Sequence, residues 1–222
     1  MGSSGVFAWA STPLAGDLGG CRGRVDLGSL GIGVVSGLAK GIDREAHEGC
    51  VLAKGYSIAV LGSGIDLVYP PSSERVARAL LEAGGTILSE YPPGAAPLQF
   101  HFPARNRIIS GLSRSVVVVQ APARSGALIT AEYAVEQGRD VFVHSAGLSG
   151  TVGAGTSQLA ASGAPVISGA RGVIEDWGMN YREAGAASVP LDETAGEALA
   201  RTMKQEMDGT CAVKGGEVYW RR

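Results

Sequence analysis

The sequence predicts an α/β fold: a doubly wound, mostly parallel, Rossmann-like sheet with helices on both faces, plus a short C-terminal extension. Two observations predict it. Short, continuously apolar and β-branched runs alternate with helical segments of about 10–12 residues, the pattern of a parallel sheet covered on both faces. Glycine, with 34 of the 222 residues, punctuates the joints between them, as tight strand–loop–helix turns require.

The elements follow in order. Residues 13–31 stand where a first helix belongs, but glycine is too frequent there, at about 1 kcal/mol each relative to Ala. Ile32–Ser36 is a buried strand, and Asp43–Lys54 a helix with Asp43 as N-cap and Gly55 as its stop. Ser57–Leu61 is the next strand, Ser72–Glu82 a helix closed near Gly84, and Thr86–Ser89 a strand. A proline-rich loop, Tyr91–Pro103, leads to a short helix over Arg105–Leu112. Ser115–Gln120 (SVVVVQ) is a strongly β-branched strand, Ala127–Gln137 a helix ended by Gly138, and Asp140–His144 a strand. A weaker helix, Ser157–Ser162, and a weak strand, Pro165–Ile167, complete the series. Residues 1–31 thus form a degenerate first part of the Rossmann-like domain, 32–177 its body and 178–189 a linker. Residues 190–222 form a short module with a helix over Glu193–Met207 and a hairpin turning at Gly215-Gly216.

Composition excludes several classes. Cys21, Cys50 and Cys211 are odd in number and widely spaced, which argues against a disulfide framework or zinc site. No apolar run approaches the roughly 18 residues of a spanning helix, and the start lacks the basic region of a signal peptide. The expected location is cytoplasmic, with no membrane partner. The net charge of −2 gives no bulk case for nucleic acid. Its distribution is more informative: Tyr91–Ala131 contains no Asp or Glu but holds His101, Arg105, Arg107, Arg114 and Arg124. Such a segment either binds an anion or is solvated surface.

In a doubly wound sheet, ligands bind beyond the carboxyl ends of the strands, and three loops there could carry chemistry. The first is Ser36–Asp43 (SGLAKGID). Gly37 and Gly41 allow close backbone approach, the helix start offers N–H groups to an anion, and Lys40 adds a charge; the alternative is a tight turn without a ligand. The second is His101–Ser113 (HFPARNRIISGLS). Arg105 and Arg107 flank Asn106 and splay to different sides of a helix, so one can meet a phosphate while the other pairs with a carboxylate such as Glu90. Phe100 and Phe102 beside them suit base stacking, but core positions are the expectation for both rings. The third is Ala123–Gly138, where Ser125, Gly126 and Thr130 lie at or near a helix start beside Arg124. It forms either an anion site or an ordinary cap.

Enzymatic readings are thin. His47, His101 and His144 have no metal-ligand spacing, and no GxSxG, Walker A or GxGxxG motif is present. Glu132 could act as a base, but a helical Glu is more often solvated or ion-paired.

SGLAKGID, VLGSGIDLVYPP (Val60–Pro71), ILSEYPPG (Ile87–Gly94), HFPARNRIISGLS and RSGALITAEYAVEQGRDVF (Arg124–Phe142) occur in one order. That order closely resembles the Rossmann-like domain of the DNA-processing protein A (DprA/Smf) family over roughly residues 32–170. The resemblance implies a non-enzymatic, dimeric, cytoplasmic protein without a cofactor. It implies binding of single-stranded DNA, protection of incoming DNA in natural transformation, and loading of the RecA recombinase. It implies a DNA pocket lined by Ser36–Gly41, His101–Arg107 and Arg124–Thr130. The chain departs from the family where a Gly-Ser-Arg or Gly-Thr-Arg motif ends the first strand: the glycine position reads Ala10 and the arginine position Thr12. The family's usual extra N-terminal domain is also missing, which suggests a truncated or degenerate member, or a chain whose true start lies elsewhere. Residues from about Pro190 weakly resemble a winged-helix module and read as a remnant or a protein contact. Two rivals remain. One is a nucleotide hydrolase of the lysine-decarboxylase-like (LOG) type, although the loop reads PARSGALITAE and not PGGxGTxxE. The other is a degenerate paralogue without DNA binding.

Overall fold

A computed structural model describes residues 6–11, 32–148, 151–178, 211–214 and 217–220. The chain divides into two compact units, residues 1–187 and 188–222.

The first unit is built on a seven-stranded sheet. Its strands are β1 (Val6–Ser11), β2 (Gly33–Ser36), β3 (Ser57–Leu61), β4 (Thr86–Ser89), β5 (Ser115–Gln120), β6 (Asp140–His144) and β7 (Val166–Ile167). The spatial order is β4-β3-β2-β1-β5-β6-β7, and every neighbouring pair is parallel. The chain therefore starts at the centre, winds out through β2, β3 and β4, and returns across β1 to add β5, β6 and β7. This is the predicted doubly wound sheet, and its switch point lies between β1 and β5. The VFAWAS run forms the central strand: Ala8 is in register with Val35 on one side and Val116 on the other.

The helices are α1 (Ile42–Leu52), α2 (Glu74–Glu82), α3 (His101–Gly111), α4 (Gly126–Glu136), α5 (Ala154–Ala161) and α6 (Ala170–Asp176). Right-handed crossovers put the helices of outward and returning strands on opposite faces. The core agrees. Val117 and Val119 of β5 join α1 and α6 in one cluster through Ala46, Cys50, Val173 and Ile174. Val116 and Val118, which alternate to the other face, are also fully buried. On that face α3 and α4 pack against each other. Sheet strands buried on both faces explain why β5 reads as continuous valine.

Several boundaries differ from expectation. Asp43 is not the cap of α1; Gly41 is, at φ +90°, a conformation that glycine adopts without strain. The left-handed residue after α1 is Lys54 rather than Gly55. Helix α5 begins three residues before Ser157, and α6 follows without having been predicted. In the second unit, β8 (Cys211–Lys214) and β9 (Glu217–Trp220) form an antiparallel pair with Lys214 opposite Glu217. The hairpin expected there is thus present, while the helix expected over Glu193–Met207 and the glycine-rich stretch 13–31 lie outside the described residues.

Candidate nucleic-acid interface

The parallel strands deliver three segments to one edge of the sheet: the loop after β2, the start of α3 and the loop after β5. Arg105 joins them. Its side chain is 4% exposed, and Nη1 donates to the carbonyl of Gly37 at 3.0 Å. Nη1 also donates to the carbonyl of Val60, at the end of β3. Nε donates to Asn106 Oδ1 at 3.0 Å, and Asn106 Nδ2 donates to the carbonyl of Gly126 at 3.2 Å. One Arg-Asn pair therefore ties the loop beyond β2 to the start of α4. The close approach explains Gly37: a Cβ built there would fall inside the guanidinium of Arg105.

Beneath the β2 loop lies a buried polar group. Asp43 Oδ2 accepts the N–H of Gly37 at 3.2 Å. Burial raises the Asp43 pKa, while the Arg105 charge, the Gly37 N–H and other local donors oppose that rise. Burial likewise lowers the Arg105 pKa, and the Asp43 carboxylate counters it. His47, one turn along α1, is fully buried. Ser57 Oγ gives its hydrogen to the Val34 carbonyl, so His47 Nδ1–H donates to Ser57 Oγ at 2.8 Å. Burial, and then the Arg105 charge, push the His47 pKa down to about 3. Leu38 is fully buried with φ +57°, a costly conformation for a branched side chain. The loop is held in it by Ser73 Oγ, which donates to the Leu38 carbonyl at 2.8 Å.

The remaining predicted residues fall into distinct roles. Ser36 is buried at the end of β2, and Lys40 is exposed at the turn before Gly41. No side chain caps α1, but Asp43 and Glu45 occupy its first turn. Helix α4 has no acid in its first turn, which makes it the better anion site. Ser125 is its N-cap, accepting the Ala127 N–H at 3.2 Å, and the buried Thr130 hydroxyl donates to the Gly126 carbonyl at 3.3 Å. Both hydroxyls thus serve the helix. Arg124, just before the cap, is exposed and has no hydrogen bond or ion pair among the described residues.

Arg107 faces away and pairs with Glu90, the carboxylate partner that the spacing offered to one of the two arginines. His101 Nδ1–H donates to the Gly62 carbonyl at 3.1 Å, and its ring stacks on Tyr91 at 3.8 Å. Phe102 is half-buried against Gly62. Phe100, expected in the core, is instead 68% exposed, because it precedes α3 at the rim of the proline-rich loop. Arg114 does not join the others: it lies before β5, at the opposite end of the strand, over the Trp177 ring at 4.6 Å. Glu132 is exposed. No cluster of three His, Cys, Asp or Glu side chains suited to a metal occurs among the described residues. The sequence reading missed Val60 and Asp43 as parts of the site, since a backbone carbonyl and a helix-start carboxylate carry no motif signal.

The chain is similar to known proteins. The family model described as DNA recombination-mediator protein A matches residues 24–178. Protein Smf of Escherichia coli is 43% identical over 150 residues, 68% of this chain and 40% of that protein. The structure of DNA processing protein A from Streptococcus pneumoniae aligns with a TM-score of 0.69 at 39% identity, covering 78% of this chain and 61% of that one. The Helicobacter pylori protein of the same name, reported for its single-stranded DNA binding mode, aligns with a TM-score of 0.67 at 26% identity, covering 78% of this chain and 80% of that one. The chain spans between 28% and 51% of the lengths of the curated relatives it matches. With the family profile matched across the whole strand-end site, this chain belongs to the DNA recombination-mediator protein A family, the DprA/Smf proteins.

Proposed function

We propose that this chain binds single-stranded DNA across the carboxyl edge of its sheet, and that it acts by binding and not by catalysis. The observation that carries the reading is the placement of Lys40 and Arg124. Both are exposed, and neither has a protein partner among the described residues. They stand beside the starts of α1 and α4, on either side of the Arg105–Asn106 bridge. Phosphate oxygens suit such a site: two exposed cations beside helix-start N–H groups. The contacts would be sequence-independent and salt-sensitive. Ser36, Gly37, Gly41, Ser125, Gly126 and Thr130 shape the two loops; His101, Phe102 and Asn106 build the wall contributed by α3, while Arg107 faces away on Glu90.

The Helicobacter pylori relative supports the choice of ligand. In the cell, the proposed role is to protect incoming DNA during natural transformation and to load the RecA recombinase, with the protein acting as a cytoplasmic homodimer. Residues 32–177 would serve as the DNA-binding domain and 190–222 as a separate module after a linker.

Fluorescence anisotropy with labelled oligo-dT and a matching duplex, across a salt series, tests the reading. Salt-sensitive binding that prefers the single strand is the expected outcome. Failure of the folded protein to bind oligo-dT even at low salt would identify a paralogue that kept the fold and lost the ligand.

A further inference from the structure

We propose that the two loops beyond β3 and β4 form a nucleobase-stacking platform, a second subsite that rests on the single-stranded DNA reading above. Nine large hydrophobic side chains are exposed among the described residues, and five of them crowd onto these loops: Ile65, Leu67, Tyr69, Leu98 and Phe100. Single exposed hydrophobics need no explanation, but a cluster does.

The platform is preformed. The Gly64 N–H donates to the Ala95 carbonyl at 2.9 Å, and the Gly94 N–H donates to Asp66 Oδ1 at 2.8 Å. Ser63 Oγ donates to the Leu67 carbonyl at 2.6 Å. The loops therefore brace each other, and their two acids are both engaged: Asp66 accepts a backbone donor and Glu90 pairs with Arg107.

The platform is also continuous with the candidate site. Tyr69 lies 5.7 Å from the Phe102 ring, and the Arg105 guanidinium lies 5.8 Å from the same ring. Phe100 meets His101 edge-on at 4.7 Å. Two sets of rings thus stand at this edge: Phe102 and Tyr69 lead from the buried arginine to the exposed Tyr69 face, and His101 carries Tyr91 and the exposed Phe100. Nucleobases fit this chemistry. Phosphates seat at Lys40 and Arg124, and bases turned away from the backbone find aromatic faces beside them. From β5 to β4 the strand ends cover about 19 Å, room for several nucleotides in a row.

The test compares oligo-dT with an abasic deoxyribose-phosphate strand of equal length, by anisotropy, on the full chain. The wild-type protein should prefer oligo-dT by on the order of tenfold for each stacked base. Tyr69→Leu with Phe100→Leu should abolish that preference and leave the salt slope unchanged. Lys40→Ala with Arg124→Ala should reduce the slope and keep the preference. Phe100→Leu alone, at a position with little burial to lose, guards against misfolding of the double variant and should show part of the effect. An undiminished preference in folded leucine variants overturns the platform. So does an undiminished preference accompanied by loss of self-association in sedimentation, which would assign the surface to a second copy of the chain. Wild-type protein that binds neither strand overturns the parent reading instead.

Discussion

At the scale of single residues, two arginines from one acid-free stretch do different work. Arg105 is buried and donates to carbonyls of two strand-end segments, whereas Arg124 is exposed and unpaired among the described residues. Arg105→Ala should cost about 3–5 kcal/mol, because it removes the charge that offsets the burial of Asp43 and leaves the buried Gly37 and Val60 carbonyls without their donor; urea unfolding measures it. Arg124→Ala should leave the urea midpoint where it is and lower oligo-dT affinity, reducing the salt slope by about 0.7 for the one phosphate lost. Equal stability losses in the two variants would contradict this division. His47 makes a third case. It titrates at about 3 in the folded chain against an ordinary 6.5, so between those values the unfolded chain holds a proton that the folded one excludes. The stability it contributes is complete above pH 6.5 and is lost as pH falls toward 3, with a slope of up to about 1.4 kcal/mol per pH unit. Asp43, raised above 3.8, carries the opposite slope just above that value. His47→Asn should therefore flatten the acid-side fall of the urea midpoint between pH 6.5 and 4.5; an unchanged profile would mean that other groups set the acid limit.

At the scale of elements, the start of α4 combines a cap with a candidate anion site in one turn. Ser125→Ala removes the hydroxyl that accepts the Ala127 N–H and should cost about 1 kcal/mol, while Ser125→Gly should recover most of it; thermal melts of the pair check this. The elements themselves were largely legible in the sequence. β3, β4, β5 and β6 have the predicted limits, because a strand buried on both faces must be continuously apolar and its neighbours must turn. Helix starts were less legible. Asp43 has the chemistry of a cap, but its carboxylate reaches back to Gly37 and the capping position falls to Gly41. Helix α6 was missed because ARGVIED is short and flanked by glycines. In the candidate site, the loops were legible from their glycines and cations. The role of Arg105 was not, since its acceptors are backbone carbonyls with no side-chain signature. Phe100 was misjudged for a related reason: an aromatic residue in a proline-rich loop has no periodicity to show which way it faces.

At the scale of the molecule, the candidate site and the fold depend on the same hydrogen bonds, so ligand and stability are linked. A single strand held at the β2 and β5 loops would stabilise the folded chain by about 2.7 kcal/mol at a hundredfold excess over Kd. Saturating oligo-dT should raise the Tm by roughly 5–10 °C, at about 2–4 °C per kcal/mol for a chain of this size, and a blunt duplex should raise it less. A Tm indifferent to oligo-dT in a protein that binds it would show that the strand sits away from these loops. The Arg105 bridge also has a consequence for synthesis. Its acceptor carbonyls belong to Gly37 and Val60, 68 and 45 positions earlier in the chain. At translation rates of about 5–20 residues per second, the β2 loop emerges from the ribosome about 3–14 s before the arginine that fastens it. During that interval the nascent β2 loop lacks its partner, and the candidate site is assembled only once the chain has been made through the start of α4.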